Sequence, residues 1–196
     1  MIKRYLKLFA IAVAMVFAFP GALIAGFGRF AEMFSLAAQV CATVPGLPGD
    51  YLRIAFYKLT LKQCSLESRI SFGSFFAHPD AVLGQGVYIG SYCILGSCRI
   101  GDRTQIASHV QLLSGRRQHP RDASGQIGAA SEGEFQMIDI GADCWIGASA
   151  IVMASVGAST TIGAGAVVVR PVEGGVVAVG NPARVVNQET LSLNTR

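Results

Sequence analysis

Charge is scarce in this sequence, because Asp, Glu, Lys and Arg make up only 14% of its 196 residues. The net charge is a modest +4, and the basic residues are scattered instead of forming the stripe typical of nucleic-acid-binding proteins. Nucleic acid is therefore not an expected partner. Paired cysteines are also lacking, since none of the five forms a Cys-x-x-Cys pair and their number is odd. This excludes a secreted disulfide framework and predicts small buried thiols in a reducing compartment.

The longest stretch without charge predicts a membrane element near the N-terminus. Residues 8–28 contain no charged side chain over 21 positions, which is enough for a helix to cross about 30 Å of hydrocarbon. Lys3, Arg4 and Lys7 precede the stretch. A cleaved signal peptide has a shorter apolar region followed by a small-x-small cleavage site. We therefore expect the segment to be retained.

The orientation of this element depends on Pro20-Gly21, which lies inside the stretch. Three basic residues before it and only Arg29 just after it place the N-terminus in the cytoplasm. Proline removes a helix hydrogen bond and glycine loosens the backbone. The pair predicts a helix that is interrupted there, dips into one leaflet and returns to the cytoplasmic side. A kinked but complete span is the alternative, because proline is tolerated in membrane helices.

Residues 1–69 as a whole are interpreted as a membrane-associated helical region. A turn cluster at 44–49 is followed by Asp50, which suits the N-cap of a short helix at about 50–62. This helix mixes aromatic, aliphatic and basic side chains, a composition typical of an interfacial helix. A cap packed over the end of the next domain is the other interpretation.

A period of six residues then dominates positions 70–186. Leu83-Gly84 and Ile89-Gly90 belong to one block of the repeat, and Ile140-Gly141 and Ile146-Gly147 belong to a second. Six is not a multiple of 3.6, so the pattern excludes an amphipathic helix. It favours short parallel strands joined by tight corners and wound into a solenoid, with the apolar residue on the axis and the small residue at the corner.

Two irregularities mark this repeat. The spacing from Val152 to Val156 is four residues, so one corner must be shortened by two. An excursion at 114–137 separates the two blocks and begins with a polar, basic, turn-rich stretch that contains His119. A rigid scaffold with one excursion carrying a histidine indicates where the chemistry lies. Residues 187–196 form a C-terminal tail.

Five ordered motifs give the repeat a family resemblance. They are Ile100-Gly101-Asp102, His119-Pro120, Cys144–Ala148, Ile162–Val168 and Gly180–Val186. Together they resemble the hexapeptide-repeat acyltransferases, which include maltose, galactoside and nodulation-factor acetyltransferases. The apolar N-terminus resembles that of bacterial polysaccharide O-acetyltransferases in the same superfamily. The resemblance implies an all-β left-handed parallel β-helix, here with an N-terminal membrane-associated helical segment.

The resemblance also implies a homotrimer that uses acetyl-CoA, with His119 as the catalytic base. An imidazole with a pKa of about 6.5 can accept the proton of an attacking sugar hydroxyl near neutral pH. Asp122 is expected to orient the imidazole, and the other carboxylates that remain open are Glu132, Glu134 and Asp139. The other two histidines are His109, which falls in the repeat and is expected near the same groove, and His78, which precedes a proline.

The CoA-contacting positions implied by the resemblance are Ala148, Ala164, Val169, Arg170 and Arg184. Trp145 is expected to close one wall of the CoA groove, and a buried structural tryptophan is the alternative. Small side chains at the two alanines would let the pantetheine arm approach the backbone, and a guanidinium suits phosphate oxygens. No metal is implied. A metal enzyme of the β-helix carbonic-anhydrase type is a rival. Such a site needs three histidine ligands, usually with two of them about five residues apart, whereas His109 and His119 are ten residues apart.

The expected function is acetyl-CoA-dependent O-acetylation of a sugar hydroxyl, on a free or lipid-linked glycan, in surface-polysaccharide synthesis. The enzyme would be located at the inner (cytoplasmic) membrane with its catalytic domain facing the cytoplasm. An N-acetyltransferase of a lipid- or nucleotide-linked amino sugar is the alternative, and a catalytically dead scaffold is a third possibility. The acceptor-holding Asn and Asp of the sugar enzymes fall in apolar or small stretches around Val87 and Leu95, so a different acceptor pocket is expected.

Overall fold

The computed structural model describes residues 2–115, 119–121, 123–128 and 135–186. Three helices come first, namely α1 (Ile2–Ile24), α2 (Ala31–Ala42) and α3 (Gly46–Thr60), with a single 3-10 turn at Gly26–Gly28 between α1 and α2. Sixteen strands of two or three residues follow. They are β1 (Gln63–Cys64), β2 (Arg69–Ile70), β3 (Phe75–Phe76), β4 (Val82–Leu83), β5 (Tyr88–Ile89), β6 (Ile94–Leu95), β7 (Cys98–Ile100), β8 (Gln105–Ile106), β9 (Gln111–Leu112), β10 (Ile138–Ile140), β11 (Trp145–Ile146), β12 (Ile151–Val152), β13 (Thr161–Ile162), β14 (Val167–Val168), β15 (Val177–Val179) and β16 (Arg184–Val186).

These strands wind into a parallel β-solenoid of about six turns. Sheet A has the order β1-β4-β7-β10, sheet C has the order β3-β6-β9-β12-β14, and sheet B has the order β2-β5-β8-β11-β13-β15 with β16 added at its end. Only β16 pairs antiparallel to its neighbour among the described strands. The solenoid predicted from the six-residue period is therefore confirmed.

Stacked aliphatic side chains fill the axis of the solenoid. Ile70, Ile89, Ile106 and Ile146 form a column on sheet B in which every side chain is fully buried. At the corners the coils approach so closely that a side chain at Gly147 would overlap the backbone of Ala164. The residue pattern therefore has a direct cause, since the apolar residue fills the axis and the small residue allows the coils to stack.

The corner between sheets C and A is the one that varies in length. Val156 pairs with Ile140 and Val172 in sheet A only four residues after Val152 of β12, which confirms the shortened corner. The excursion leaves the solenoid at the same corner, after β9 and before β10. Insertions at this corner leave the strand pairing intact, so the fold offers one position where a functional loop can be added.

The solenoid begins seven residues earlier than the boundary at 70 that the repeat predicted. Its first strand is β1, in which Cys64 faces the core, and Phe76 of β3 fills the same turn. Cysteine and phenylalanine occupy positions that elsewhere hold Ile, Leu or Val. The boundary was misplaced because these residues do not match the apolar-Gly pattern.

The predicted interruption at Pro20-Gly21 is wrong, because α1 continues through both residues to Ile24. Pro20 lies on the exposed side of the helix, where a carbonyl that lacks its helix partner is not enclosed by protein. The chain reverses a few residues later, at Gly26–Gly28, where the two glycines have positive φ angles of 57° and 89°. Gly21 lies near Ala37 of the returning α2.

The prediction that Asp50 is the N-cap of the helix that follows it is also wrong. Helix α3 starts at Gly46, and Asp50 lies inside it with a buried carboxylate that binds Arg53 and Arg69 at 2.7 Å each. The fully buried Arg53 guanidinium also donates to the carbonyl oxygens of Ile70 and Val44, at 2.8 Å each. Helix α3 is therefore the cap over the first turn of the solenoid, which was the other interpretation of this segment.

Candidate active site

The excursion loop is held at its base by backbone and serine contacts. The amide of Gln136 donates to the carbonyl of Ser114 at 3.0 Å, so the outgoing and returning chains meet. The hydroxyl of Ser114 accepts from the amide of Ser97 at 2.8 Å, which ties the base to the preceding turn. The loop thus starts from a fixed point on the edge between sheets C and A.

His119 lies on a small hairpin within this loop. The amide of Gly128 donates to the carbonyl of Pro120 at 2.7 Å, and Arg121 pairs antiparallel with Ile127. The exposed imidazole places Nδ1 3.2 Å from the carbonyl oxygen of Gly128. A carbonyl only accepts, so this contact requires the proton on Nδ1 and leaves the lone pair on Nε2. That is the tautomer a general base needs.

Four carboxylates were candidates for orienting the imidazole of His119. Asp122, Glu132 and Glu134 lie outside the described residues. Asp139 accepts from Arg99 at 2.6 Å on the outer face of sheet A. Among the described residues, the Gly128 carbonyl is the group that holds the imidazole. Sequence reasoning missed this partner because a backbone carbonyl has no side-chain signature.

The predicted CoA positions fall on more than one side of the solenoid. Ala148 and Ala164 are exposed and stack one turn apart at the corner between sheets B and C, where Gly165 donates its amide to the Ala148 carbonyl at 2.8 Å. Trp145 lies on the outer face of sheet B with 49% of its surface exposed, so it is not a buried core tryptophan. This edge presents small residues, backbone and one indole ring.

The remaining predicted CoA positions lie elsewhere. Val169 and the exposed Arg170 are at the corner between sheets C and A, the corner from which the His119 loop departs two turns earlier. Arg184 is exposed on β16 and donates to the Ala183 carbonyl at 3.0 Å. Neither arginine forms an ion pair with an acid in the described part of the chain, so both cations are available to an anion.

The other two histidines occupy different environments. His109 stacks on Tyr92 at the corner between sheets B and C, with ring centroids 5.3 Å apart and planes 14° from parallel. Phe72 packs edge-on against Tyr92 at 5.4 Å, so three rings from successive turns line the edge that also carries Ala148. His78 packs on Phe135 at 5.1 Å, beside the returning end of the excursion loop. The sequence spacing had given no sign of this ring stack.

Cysteine nucleophiles are disfavoured at the site. All five thiols are free and buried, as the sequence predicted. Burial raises the pKa of Cys64 to about 12 and that of Cys41 to about 11, so each remains a neutral thiol near neutral pH. Over the described ranges, no group of three or more His, Cys, Asp or Glu side chains is placed to hold a metal ion.

No family model and no curated protein matches the sequence, whereas solved structures match its fold. Galactoside acetyltransferase in complex with coenzyme A superposes with a TM-score of 0.67, at 20% identity over 81% of this chain and 82% of that one. The chain has the hexapeptide-acyltransferase fold. The polySia-specific acetyltransferase NeuO gives 0.52, at 24% identity over 62% of this chain and 58% of that one. AntD, an N-acyltransferase from Bacillus cereus bound to dTDP-4-amino-4,6-dideoxyglucose and coenzyme A, gives 0.51, at 17% identity over 64% and 74%.

Proposed function

We propose that this protein is an acetyl-CoA-dependent O-acetyltransferase that acylates a sugar hydroxyl during surface-polysaccharide synthesis. The observation that carries the proposal is the His119 imidazole, which is exposed on the excursion loop with Nδ1 held by the Gly128 carbonyl. A base in this tautomer, on a fold shared with sugar acetyltransferases, suits acyl transfer better than a surface histidine without a fixed partner. Asp122 is retained in the proposal as a second group that orients the ring.

The proposed reaction is a direct transfer. Nε2 of His119 accepts the hydroxyl proton while the sugar oxygen attacks the thioester carbonyl carbon. The new C–O bond forms, the C–S bond breaks, and the imidazolium returns the proton to the departing CoA sulfur. General-base assistance of this kind accelerates such reactions by about 10²–10⁴-fold. The neutral buried thiols support a route without an acyl-enzyme.

The donor is proposed to bind between neighbouring copies of the chain in a homotrimer. His119 and the Ala148–Ala164 edge belong to different corners of one solenoid, so a groove between two solenoids is the arrangement that brings a base from one copy to the donor edge of another. Trp145 would form a wall of this groove. Arg170 and Arg184 would bind the CoA phosphates.

Acetyl-CoA is cytosolic, so the catalytic domain is proposed to face the cytoplasm at the inner membrane. By length and composition Tyr5–Ile24 could cross a membrane, and only 22% of its most apolar window is buried in the protein. Such a segment would hold the enzyme at the membrane, close to an acceptor that is carried on a membrane lipid. NeuO is specific for polySia, which favours a polysaccharide as the acceptor class.

N-acetylation of an amino sugar is the second candidate. AntD, which shares the fold, is an N-acyltransferase bound to an amino sugar nucleotide. The same base and donor serve both reactions, and only the nucleophilic atom of the acceptor differs. Product chemistry separates them, because an O-acetyl ester is cleaved by mild alkali and an N-acetyl amide is not.

The test is an acceptor screen with the purified full chain and acetyl-CoA. Free sugars, nucleotide sugars, amino sugars and glycan-lipid extracts are offered, and products are examined by mass spectrometry before and after mild alkali. An alkali-labile product carrying one additional acetyl group is expected. An alkali-stable product establishes the N-acetyl alternative, and no acetylated product from any acceptor class contradicts acyl transfer.

A further inference from the structure

Helix α1 places most of its large apolar side chains on the outside, whereas its inner face is mostly alanine, with Ile11 as the one large buried side chain among its described residues. The inner face, buried against the rest of the protein, carries Ala14, Ala18 and Ala22. Phe17, by contrast, is 73% exposed and Val16 is 70% exposed. In water this arrangement is unfavourable, because burying a phenylalanine or valine stabilises a fold far more than burying an alanine. The outer face is therefore suited to an apolar medium.

The apolar surface extends from α1 onto the two following helices. We define the apolar platform by six exposed residues, Phe9, Val16, Phe17, Leu36, Val40 and Leu47. A cleft of about 570 Å³ between α1 and the start of α3 and a second of about 290 Å³ between α1 and α2 are both lined by Phe17. The platform is thus continuous, and its two clefts are lined almost entirely by apolar side chains.

The two ends of α1 both lie against the first turns of the solenoid. At the N-terminal end, Lys7 and Ile11 line a cleft together with Glu67 at the corner between sheets A and B. Just past the other end, Gly28 lies so close to Thr60 and Pro79 that a side chain there would collide with them. From Lys7 to Ile24, the last residue of α1, the helix advances 17 residues, which corresponds to about 26 Å.

This anchoring is incompatible with a helix that crosses a bilayer. If α1 spanned about 30 Å of hydrocarbon, the same solenoid turn would have to reach both faces of the membrane. The exposed Lys62 and Gln63 between the anchor points would then lie within the hydrocarbon, where charged and polar groups are strongly disfavoured. A helix lying in the plane of one leaflet satisfies all of these contacts.

We infer that the apolar platform docks flat onto one leaflet of an anionic lipid bilayer, with α1 parallel to the membrane surface. The chain has no acidic residue before Glu32, whereas Lys3, Arg4 and Lys7 lie at the start of α1 and Arg29 follows its end. Basic residues at both ends of an apolar helix match anionic headgroups. A second copy of the chain fits less well, because pairing two platforms would bring these like charges together.

The inference deepens the membrane association of the proposed function and does not depend on its chemistry. Acyl transfer to a soluble acceptor is measured without lipid, so a failure of membrane docking and a failure of the enzymatic proposal are seen in separate assays. The probe for docking is a vesicle of phosphatidylethanolamine and phosphatidylglycerol, with phosphatidylcholine vesicles as the uncharged comparison.

Flotation of the purified full chain with these vesicles is the first measurement. The wild type is expected to float with the anionic vesicles, and F9E and F17E to lower the bound fraction at limiting lipid by about tenfold each. Ile94→Glu, on an exposed strand position of sheet C, is the matched control and should float as the wild type does. Circular dichroism reports folding, and V16E replaces either variant if one is unfolded. The inference would be overturned if the wild type stayed at the bottom of the gradient. It would also be overturned if the wild type floated and the platform variants floated equally well.

Labelling from each side of the membrane distinguishes an in-plane helix from a spanning one. Tyr5→Cys and Arg29→Cys place a thiol near each end of α1, and the five native thiols are buried. An impermeant maleimide is applied to spheroplasts and to inverted inner-membrane vesicles. Both positions are expected to react from the same side. Reaction of the two positions from opposite sides would show that α1 crosses the membrane and contradict the inference.

Discussion

In the solenoid the largest aliphatic side chains point inward, whereas in α1 most of the large apolar side chains point outward. Ile106 is fully buried on the solenoid axis, and Gln105 beside it faces outward. In α1 the fully buried Ala22 lies against the protein, and Phe17 is exposed. Both regions are rich in apolar residues, so composition alone does not separate them. The solenoid thus buries its large aliphatic side chains away from water, and the exposed ones on α1 are the basis for the inference that this helix meets a second apolar phase.

The largest effect is expected at Arg53 of α3, where the helical region joins the solenoid. Replacing it with methionine removes the donor to one oxygen of the buried Asp50 carboxylate, which keeps only Arg69, and leaves several buried carbonyl groups without theirs. The free energy of unfolding should fall by about 3–5 kcal/mol, as when one partner of a buried ion pair is removed. Urea unfolding followed by circular dichroism measures it. The control is Arg99→Met, which breaks the exposed pair with Asp139 and should cost about 1 kcal/mol or less; equal losses would mean that Arg53 does not hold the helices on the solenoid.

The next effect contrasts the axis of the solenoid with the outside of α1. Ile106→Ala removes a side chain from the middle of the sheet B column and should cost about 2–5 kcal/mol in urea unfolding. Phe17→Ala removes more apolar surface, yet it should change stability in lipid-free buffer by about 0.5 kcal/mol or less because Phe17 is exposed. If Phe17→Ala destabilised the protein as much as Ile106→Ala, the contrast between an inward-facing solenoid axis and an outward-facing surface of α1 would be wrong.

A smaller effect is expected on the inner face of α1. Ala18 packs against the protein with 2% of its surface exposed, so leucine at this position overpacks the contact. We expect a loss of about 1–3 kcal/mol, measured by thermal or urea unfolding. Ala12→Leu, at an exposed position of the same helix, is the control and should be close to neutral. A neutral Ala18→Leu would indicate that α1 is not packed on the rest of the chain.

The smallest effect is the contribution of a buried thiol, Cys64, to instability at alkaline pH. Burial raises the pKa of this thiol from 9.0 to about 12, so the folded state keeps its proton at a pH where the unfolded state loses it. Stability is therefore unaffected below pH 9 and falls as pH rises toward 12, by about 1.4 kcal/mol per unit for one group. In Cys64→Ala the decline between pH 9 and 10.5 should be shallower than in the wild type, with a constant offset below pH 8.5. Parallel curves at all pH values would contradict this assignment.

The six-residue spacing predicted the solenoid because every turn repeats the same local requirement. An aliphatic residue must reach the axis and a small residue must pass the corner, so Ile89, Ile106 and Ile146 recur in register. The shortened corner before Val156 followed from the same count. The first turn escaped this reasoning because Cys64 and Phe76 meet the requirement with other side chains.

The helical region was harder to predict because its structure depends on distant partners. Asp50 matches an N-cap in the local sequence, but Arg69, nineteen residues away, takes up its carboxylate. Pro20 suggested a break, whereas the glycines at 26 and 28 form it. At the candidate site, His119 stays a prediction from its loop and motif, and the structure adds a contact of its imidazole with the backbone of Gly128. Every amino acid has a backbone carbonyl, so no pattern of side chains could have predicted the contact made at position 128.

If His119 is the base of an acyl transfer, the rate of CoA thiol release from acetyl-CoA depends on its imidazole. With an acceptor that the wild type uses, His119→Ala should lower kcat by about 10²–10⁴-fold, while its unfolding transition stays that of the wild type because the side chain is exposed. His109→Ala, at the other exposed histidine, is measured beside it. If His119→Ala released CoA thiol at the wild-type rate, or if the loss of activity occurred only in His109→Ala, His119 would not be the base.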